Sequence, residues 1–275
     1  MSPSVPHSLV SLLVPRGAWK WMIFVGGAGL LAGVVLYQPG SPVGLWQADG
    51  CVGSGEMTKA VELYDGVADA GWSEGQRAMA LRRSAALLAA DLDRPVEAAE
   101  RLERLLLLVD EQHVRASLYE QIARLAQSDH QQERAGTSFL ASYREAPNNR
   151  RAAERLTLAA RSRMDTGAIE VANDLWDELA NEFPERRAVA RLAQAESALS
   201  GSNAQLALAR FKEAQAAAVD PAVSAAARLG LGTALERLGN LDGAIAEIDQ
   251  SQLPGDVRDS RVESLRARRF ERDRE

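Results

Sequence analysis

An alanine followed four residues later by a large apolar side chain recurs six times, as Ala60/Tyr64, Ala98/Leu102, Ala135/Phe139, Ala172/Trp176, Ala207/Phe211 and Ala244/Ile248. The intervals are 38, 37, 37, 35 and 37 residues. A period of this length is the mark of an array of small repeated units, each of which buries its apolar face only against its neighbours. Twelve residues before each marker stand Ala48, Ala86, Ala123, Ala160, Ala195 and Gly232. All six are small, as two helices crossing at close range require. Nine residues before each marker come Cys51, Ala89, Ala126, Arg163, Ala198 and Leu235, which makes the single cysteine a packing residue.

Between Gly75 and Gly255 no run alternates with the period of a strand, and Ala, Leu, Arg, Glu and Gln dominate. These are strong helix formers. Breaks fall once inside each unit, at Asp93-Arg94-Pro95, Ser128-Asp129-His130, Thr166-Gly167, Gly201-Ser202-Asn203 and Gly239-Asn240. Others fall between units, at Pro147, Pro184, Pro221 and Pro254. Each unit is therefore expected to be a helix hairpin. The stretch before Ala60 is rich in Gly and Pro, so the first unit is expected to be half formed.

Leu231-Gly232, the Gly239-Asn240 turn and Ala244/Ile248, with Pro147 and Pro184 twelve residues after Ala135 and Ala172, resemble the tetratricopeptide-repeat pattern. The resemblance covers residues 79–258 and departs from the pattern in lacking its Trp near the start of the first helix. It implies an all-α, right-handed solenoid of helix hairpins. It also implies protein partners, bound on the concave surface lined by the first helices. Projected onto this chain, that surface holds Arg83, Glu120, Arg124, Gln127, Thr157, Arg161, Met164, Glu196 and Glu236. Arg83, Glu120, Arg124 and Arg161 are expected to point away from the core between helices. A two-carboxylate clamp of the chaperone-binding kind needs several lysines together, and the chain has only Lys20, Lys59 and Lys212.

The N-terminus reads differently. Residues 21–37 carry no charge, a length at the low end of what crosses a hydrocarbon core. Trp19, Trp21 and Phe24 flank one end and Tyr37 the other, while Arg16 and Lys20 precede the stretch and no acidic residue occurs before Asp49. This predicts a transmembrane helix over 18–38, a cytoplasmic tail over 1–17 and an exported body. The expected location is the inner membrane, single-pass, with the repeats in the periplasm or otherwise outside. A cleaved signal peptide is the alternative, although no small-x-small site follows Tyr37. Gly29 and Gly33 form a GxxxG pair suited to close approach of two spans, and glycine is in any case common in spans. The remaining expected segments are a linker or degenerate first helix over 39–54, repeats over 55–258 and a capping helix over 259–275. Residues 256–275 hold seven Arg and six acidic residues, a balance that does not suit a nucleic-acid tail.

The net charge of -6 provides no basic field for nucleic acid. His7, His113 and His130 are scattered, with no HExxH, no paired Cys-His spacing and no GxxxxGK[ST] loop. No catalytic residue, cofactor, metal or small-molecule substrate is expected. Pairs such as Glu100/Arg104 and Glu120/Arg124 read as solvated helix faces. The function expected is that of a membrane-tethered interaction scaffold or assembly factor, similar in layout to the translocon-associated tetratricopeptide subunits of bacteria. The alternative is a permanent subunit of a larger membrane complex.

Overall fold

The computed structural model describes residues 42–251 and 255–274. The expected span over 18–38, with Trp21, Gly29, Gly33 and Tyr37, lies outside the described residues. Among those described, every regular element is helical, and no helix is long and apolar enough to cross a membrane. The chain divides into two compact units, at Asp93/Arg94.

The first unit contains α1 (Pro42–Gly53), α2 (Met57–Ala70) and α3 (Glu74–Ala90). The second contains α4 (Pro95–Leu106), α5 (Gln112–Ser128), α6 (Gln132–Glu145), α7 (Ala152–Asp165), α8 (Ile169–Glu182), α9 (Arg187–Ser200), α10 (Ala204–Ala217), α11 (Pro221–Arg237), α12 (Leu241–Asp249) and α13 (Gly255–Arg272). A 3-10 turn, Pro184–Arg186, precedes α9. Within each unit, helices adjacent in sequence pack on one another, and α9 also packs on α11, the first helix of the next hairpin.

The repeat register is written in the backbone. Among the described residues the positive-φ positions are Gly55, Asp93, His130, Gly167, Ser202 and Gly239, each five residues before a marker alanine. In five of these turns the next residue's N–H donates to the carbonyl nine residues before the marker, at Cys51, Ala126, Arg163, Ala198 and Leu235, over 2.8–2.9 Å. The positive-φ residue itself donates to the carbonyl three residues back. Together these bonds satisfy carbonyls orphaned at the end of the first helix and reverse the chain at once into the second. His130 thus has a backbone task in a turn.

Packing follows the same register. All six marker alanines are fully buried, and so are their large partners, from Tyr64 to Ile248. Ala48, Ala123, Ala160 and Ala195 are fully buried opposite them. At Gly232 even a methyl group is too much, since a Cβ there would lie 2.6 Å from Ile248 Cγ1, whose side chain is itself sealed in the core. The second repeat departs from the pattern. Ala86, expected in the helix crossing, is exposed, while Ser84 and Ala85 are buried. The face that α3 buries meets α2, where the Ser84 hydroxyl donates to Asp65 over 2.9 Å. The end of α3 differs too, with Leu92 N–H donating to Leu87.

The stretch expected as a linker or degenerate helix over 39–54 contains the twelve-residue α1, closed by the same turn as the later units. Pro221 begins α11, where its missing N–H costs nothing, and Asn203 and Asn240 cap α10 and α12 through their side chains.

Replacing Ala160 by Leu, or Gly232 by Ala, is expected to cost about 1–3 kcal/mol through overpacking. Ala86→Leu is expected to stay within about 0.5 kcal/mol, as exposed substitutions do. Chemical denaturation of the three variants checks the register, including its shift in the second repeat.

Candidate partner-binding surface

Three separate groupings contain most of the residues projected onto the first-helix face. In the first unit, Asp49 of α1 lies between the Tyr64 hydroxyl of α2, which donates to it, and Arg83 of α3, whose Nη1 reaches both carboxylate oxygens at 2.5 Å. The hydrogen bond from Tyr64 and then the Arg83 guanidinium hold the Asp49 carboxyl below the usual carboxylate range. Burial, followed by the bond to Asp49, pushes the Tyr64 phenol up to about 12. Arg83 is therefore engaged in tying three helices together. Its ion pair is about half exposed, so its value is geometric more than energetic.

The second grouping corrects an expectation. Glu120 does not face solvent with Arg124; it is buried, and three arginines converge on it. Its Oε2 accepts from Arg155 Nε at 3.0 Å, while Oε1 lies 2.5 Å from Arg151 Nη2 and 3.0 Å from Arg124 Nη2. Glu154 closes the network, 3.4 Å from Arg124 and 3.2 Å from Arg151. The Arg151 bond, partly opposed by burial, holds the Glu154 carboxyl below its ordinary value. The physical reason is reach: α5 and α7 both pack on α6, which lies between them in sequence, and an arginine side chain of α7 extends to α5 with its charged end still hydrogen-bonded. Arg155 is as buried as Glu120, and its Nη1 has no partner among the described residues. A carboxylate and a guanidinium sealed together this way make the pair a rigid strut between repeats.

The third grouping is an open pocket of about 230 Å³ between α7 and α9. Met164, Trp176, Val189, Leu192 and Ala193 supply its apolar lining, and Arg161, Asp165 and Glu196 its polar edge. Trp176 is fixed in the core, with its Nε1 donating to Met164 Sδ at 3.1 Å. Burial raises the Glu196 carboxyl, and Arg161 opposes that shift. Of the nine projected residues, Arg161, Met164 and Glu196 thus meet in one concavity. Gln127 and Thr157 are half-buried, and the Thr157 hydroxyl is spent on the Ala153 carbonyl at 2.7 Å. Glu236 is taken up by α13, with Arg261 at 3.0 Å and Arg268 also bonded to it.

Sequence reasoning did not single out Arg155, Arg151, Glu154, Trp176 or Leu192 for this face. The register gave no signal for Arg155, which follows Glu120 by 35 residues where the repeat is 37, so that Thr157 and not Arg155 occupies the equivalent position. Larger concavities, of about 680 and 440 Å³, are lined mainly by second helices, the former by Glu103 of α4 and residues of α6, the latter by α8 and α10 with part of α9. Among the described residues no group of three or more His, Cys, Asp or Glu side chains is arranged to hold a metal ion.

No protein-family model matches the chain, and no curated protein matches it in sequence. Among solved structures it is similar to BtubC (BKLC) from P. vanneervenii, at 16% identity and a TM-score of 0.47, over 78% of this chain and 90% of that one. It is also similar to YrrB, described as a TPR protein with an unusual peptide-binding site, at 15% identity and a TM-score of 0.43, over 70% and 94%. A third is MamA, at 15% identity and a TM-score of 0.41, over 64% and 90%. Likenesses this distant do not bear on function. The turns and packing above define, by themselves, an array of helix hairpins among the described residues.

Two outcomes are expected at this surface. Glu120→Gln leaves Arg155 buried without a countercharge and should cost about 3–5 kcal/mol, whereas Glu154→Gln, half exposed, should cost about 1 kcal/mol or less. Urea denaturation distinguishes them. The second concerns pH. Because the folded-state phenol of Tyr64 is raised, its contribution to stability is fully present below the unfolded value of 10.0 and is lost as pH rises towards about 12. Tyr143, raised to about 12 first by burial and then by Glu178, behaves alike. An absorbance titration should show two tyrosines ionising late, and Tyr64→Phe should remove one of them.

Proposed function

We propose that this chain is a membrane-tethered scaffold that binds protein partners on the first-helix face of a right-handed hairpin solenoid. The observation that carries the reading is the pocket of Arg161, Met164, Trp176 and Glu196. It is a concavity on first helices, apolar at its base, with opposite charges at its edge and a buried tryptophan that holds its shape. Such a combination gives a partner both an apolar anchor point and a fixed orientation. The tether is supported by the uncharged residues 21–37 with Arg16 and Lys20 ahead of them. The same asymmetry supports an inner-membrane location with the repeats outside the cytoplasm.

A second reading, a permanent subunit of a membrane complex, is favoured by the larger concavities on the second helices, which would then be covered by fixed neighbours. The two readings diverge in an affinity capture from detergent-solubilised membranes. Swapping the charges, Arg161→Glu with Glu196→Arg, keeps a local pair while reversing what a partner meets. Partner recovery is expected to fall on the order of tenfold, about 1.4 kcal/mol, with helicity and melting unchanged. Full recovery in that variant, with loss on changing Glu103 or Arg210, would favour the fixed-subunit reading.

A further inference from the structure

Among the described residues of the first unit, the large apolar side chains that are exposed are Trp46, Trp72 and Met79, the first two 75% and 56% exposed. They share one end of the unit. The connections α1–α2 and α2–α3 span only residues 54–56 and 71–73, so the three helices run antiparallel to their neighbours. The start of α1, the end of α2 and the start of α3 are therefore together. Trp72 is in the loop at that end, and Trp46 and Met79 are in the second turns of α1 and α3, within about 8 Å of it at 1.5 Å per residue. The opposite end presents Ser54, Gly55, Glu56, Asp91 and Asp93, all exposed.

The apolar end is also the end at which the chain enters. Residues 39–41 alone separate the expected span from Pro42, a reach of roughly 13 Å even when extended. We propose that this end of the first unit is seated in the headgroup layer of the bilayer, with Trp46, Trp72 and Met79 in contact with lipid. The inference rests on the tether proposed above and adds the orientation of the first unit, with α1 to α3 rising from the surface. Tryptophan suits the boundary because its ring is apolar while its N–H finds water or headgroup oxygen. Charge is not the attraction. Glu74 and Arg77 pair here at 3.7 Å and Asp69 lies nearby, so no basic patch calls for anionic lipid.

The test uses the full chain, with Cys51 replaced by Ala, in phosphatidylcholine vesicles. Single cysteines at Trp72, Met79, Asp91 and Gly29 carry a spin label, and collision with oxygen is compared with collision with a water-soluble nickel chelate. The oxygen-to-nickel ratio at 72 and 79 is expected several-fold above that at 91, and still higher at 29. Ratios at 72 and 79 equal to that at 91, with 29 embedded, would overturn the inference and leave the tether standing. A water-like ratio at 29 would instead remove the tether, and if 72 and 79 were then also water-like the inference falls with it. Should one labelled variant lose helicity, Trp46→Cys reports on the same end.

Discussion

Close approach of two helices, permitted wherever one of them presents a hydrogen or a methyl group, is the constraint on which the rest of the chain depends. Where Ala123, Ala160 or Gly232 meets the second helix, the backbones come near enough for a single large side chain to fill the remaining space. That side chain is Phe139, Trp176 or Ile248, each fully buried. The gap leaves no slack, so the turn joining the two helices must reverse the chain immediately. A left-handed residue held by two backbone hydrogen bonds does so. Small residue, tight turn, marker alanine and large partner are thus one device, and the device is what recurs with a period of about 37 residues.

This explains what was legible in the sequence. A larger side chain than alanine or glycine at a crossing overpacks it, so the pattern is written in residue identities, and the helices and turns of 95–249 follow from it. The failures are equally physical. Ala86 keeps the spacing, yet α3 buries a neighbouring face against α2, because spacing along the chain does not record how far a helix is rotated about its axis. The stretch with Gly and Pro over 39–54, read as a linker or degenerate first helix, contains α1. Pro42 at the start of a helix and Gly53 at its end are where those residues are tolerated, and their positions matter more than their number. At the surface, the register alone puts Arg161, Met164 and Glu196 on one face, and in the structure the three line one pocket. The burial of Glu120 was not legible, because it depends on side chains arriving from another repeat.

Those arriving side chains are mostly arginines. Of 32 basic residues only three are lysine. Arg83 reaches Asp49, Arg134 reaches Glu103 at 2.7 Å, Arg151 and Arg155 reach Glu120, and Arg261 and Arg268 reach Glu236, across separations of 25 to 35 residues. Arg163 makes a similar link to the Thr137 hydroxyl at 2.7 Å. A guanidinium remains charged at any ordinary pH and offers five N–H donors in a rigid plane, so it can hold two acceptors at once on an adjoining helix. An ammonium on a flexible stem does this less well. The excess of arginine is accordingly an internal property of the array, because each unit must be keyed to the next by something more directional than alanine.

The consequence for function is one of subtraction. A first-helix face that looks densely charged in sequence is largely engaged with itself once folded: Arg83, Arg124 and Glu236 have internal partners, Glu120 is sealed, and Thr157 bonds its own helix. What remains open is the ground between α7 and α9, where Arg161 and Glu196 flank an apolar floor. A charge already bound to a neighbour contributes little new attraction to an incoming group, and breaking that bond opposes the contact. An apolar floor that water wets poorly has no such competitor. On the proposed reading of this face as a binding surface, specificity is expected to come from the shape around Trp176 and Leu192, with Arg161 and Glu196 setting the orientation of the partner.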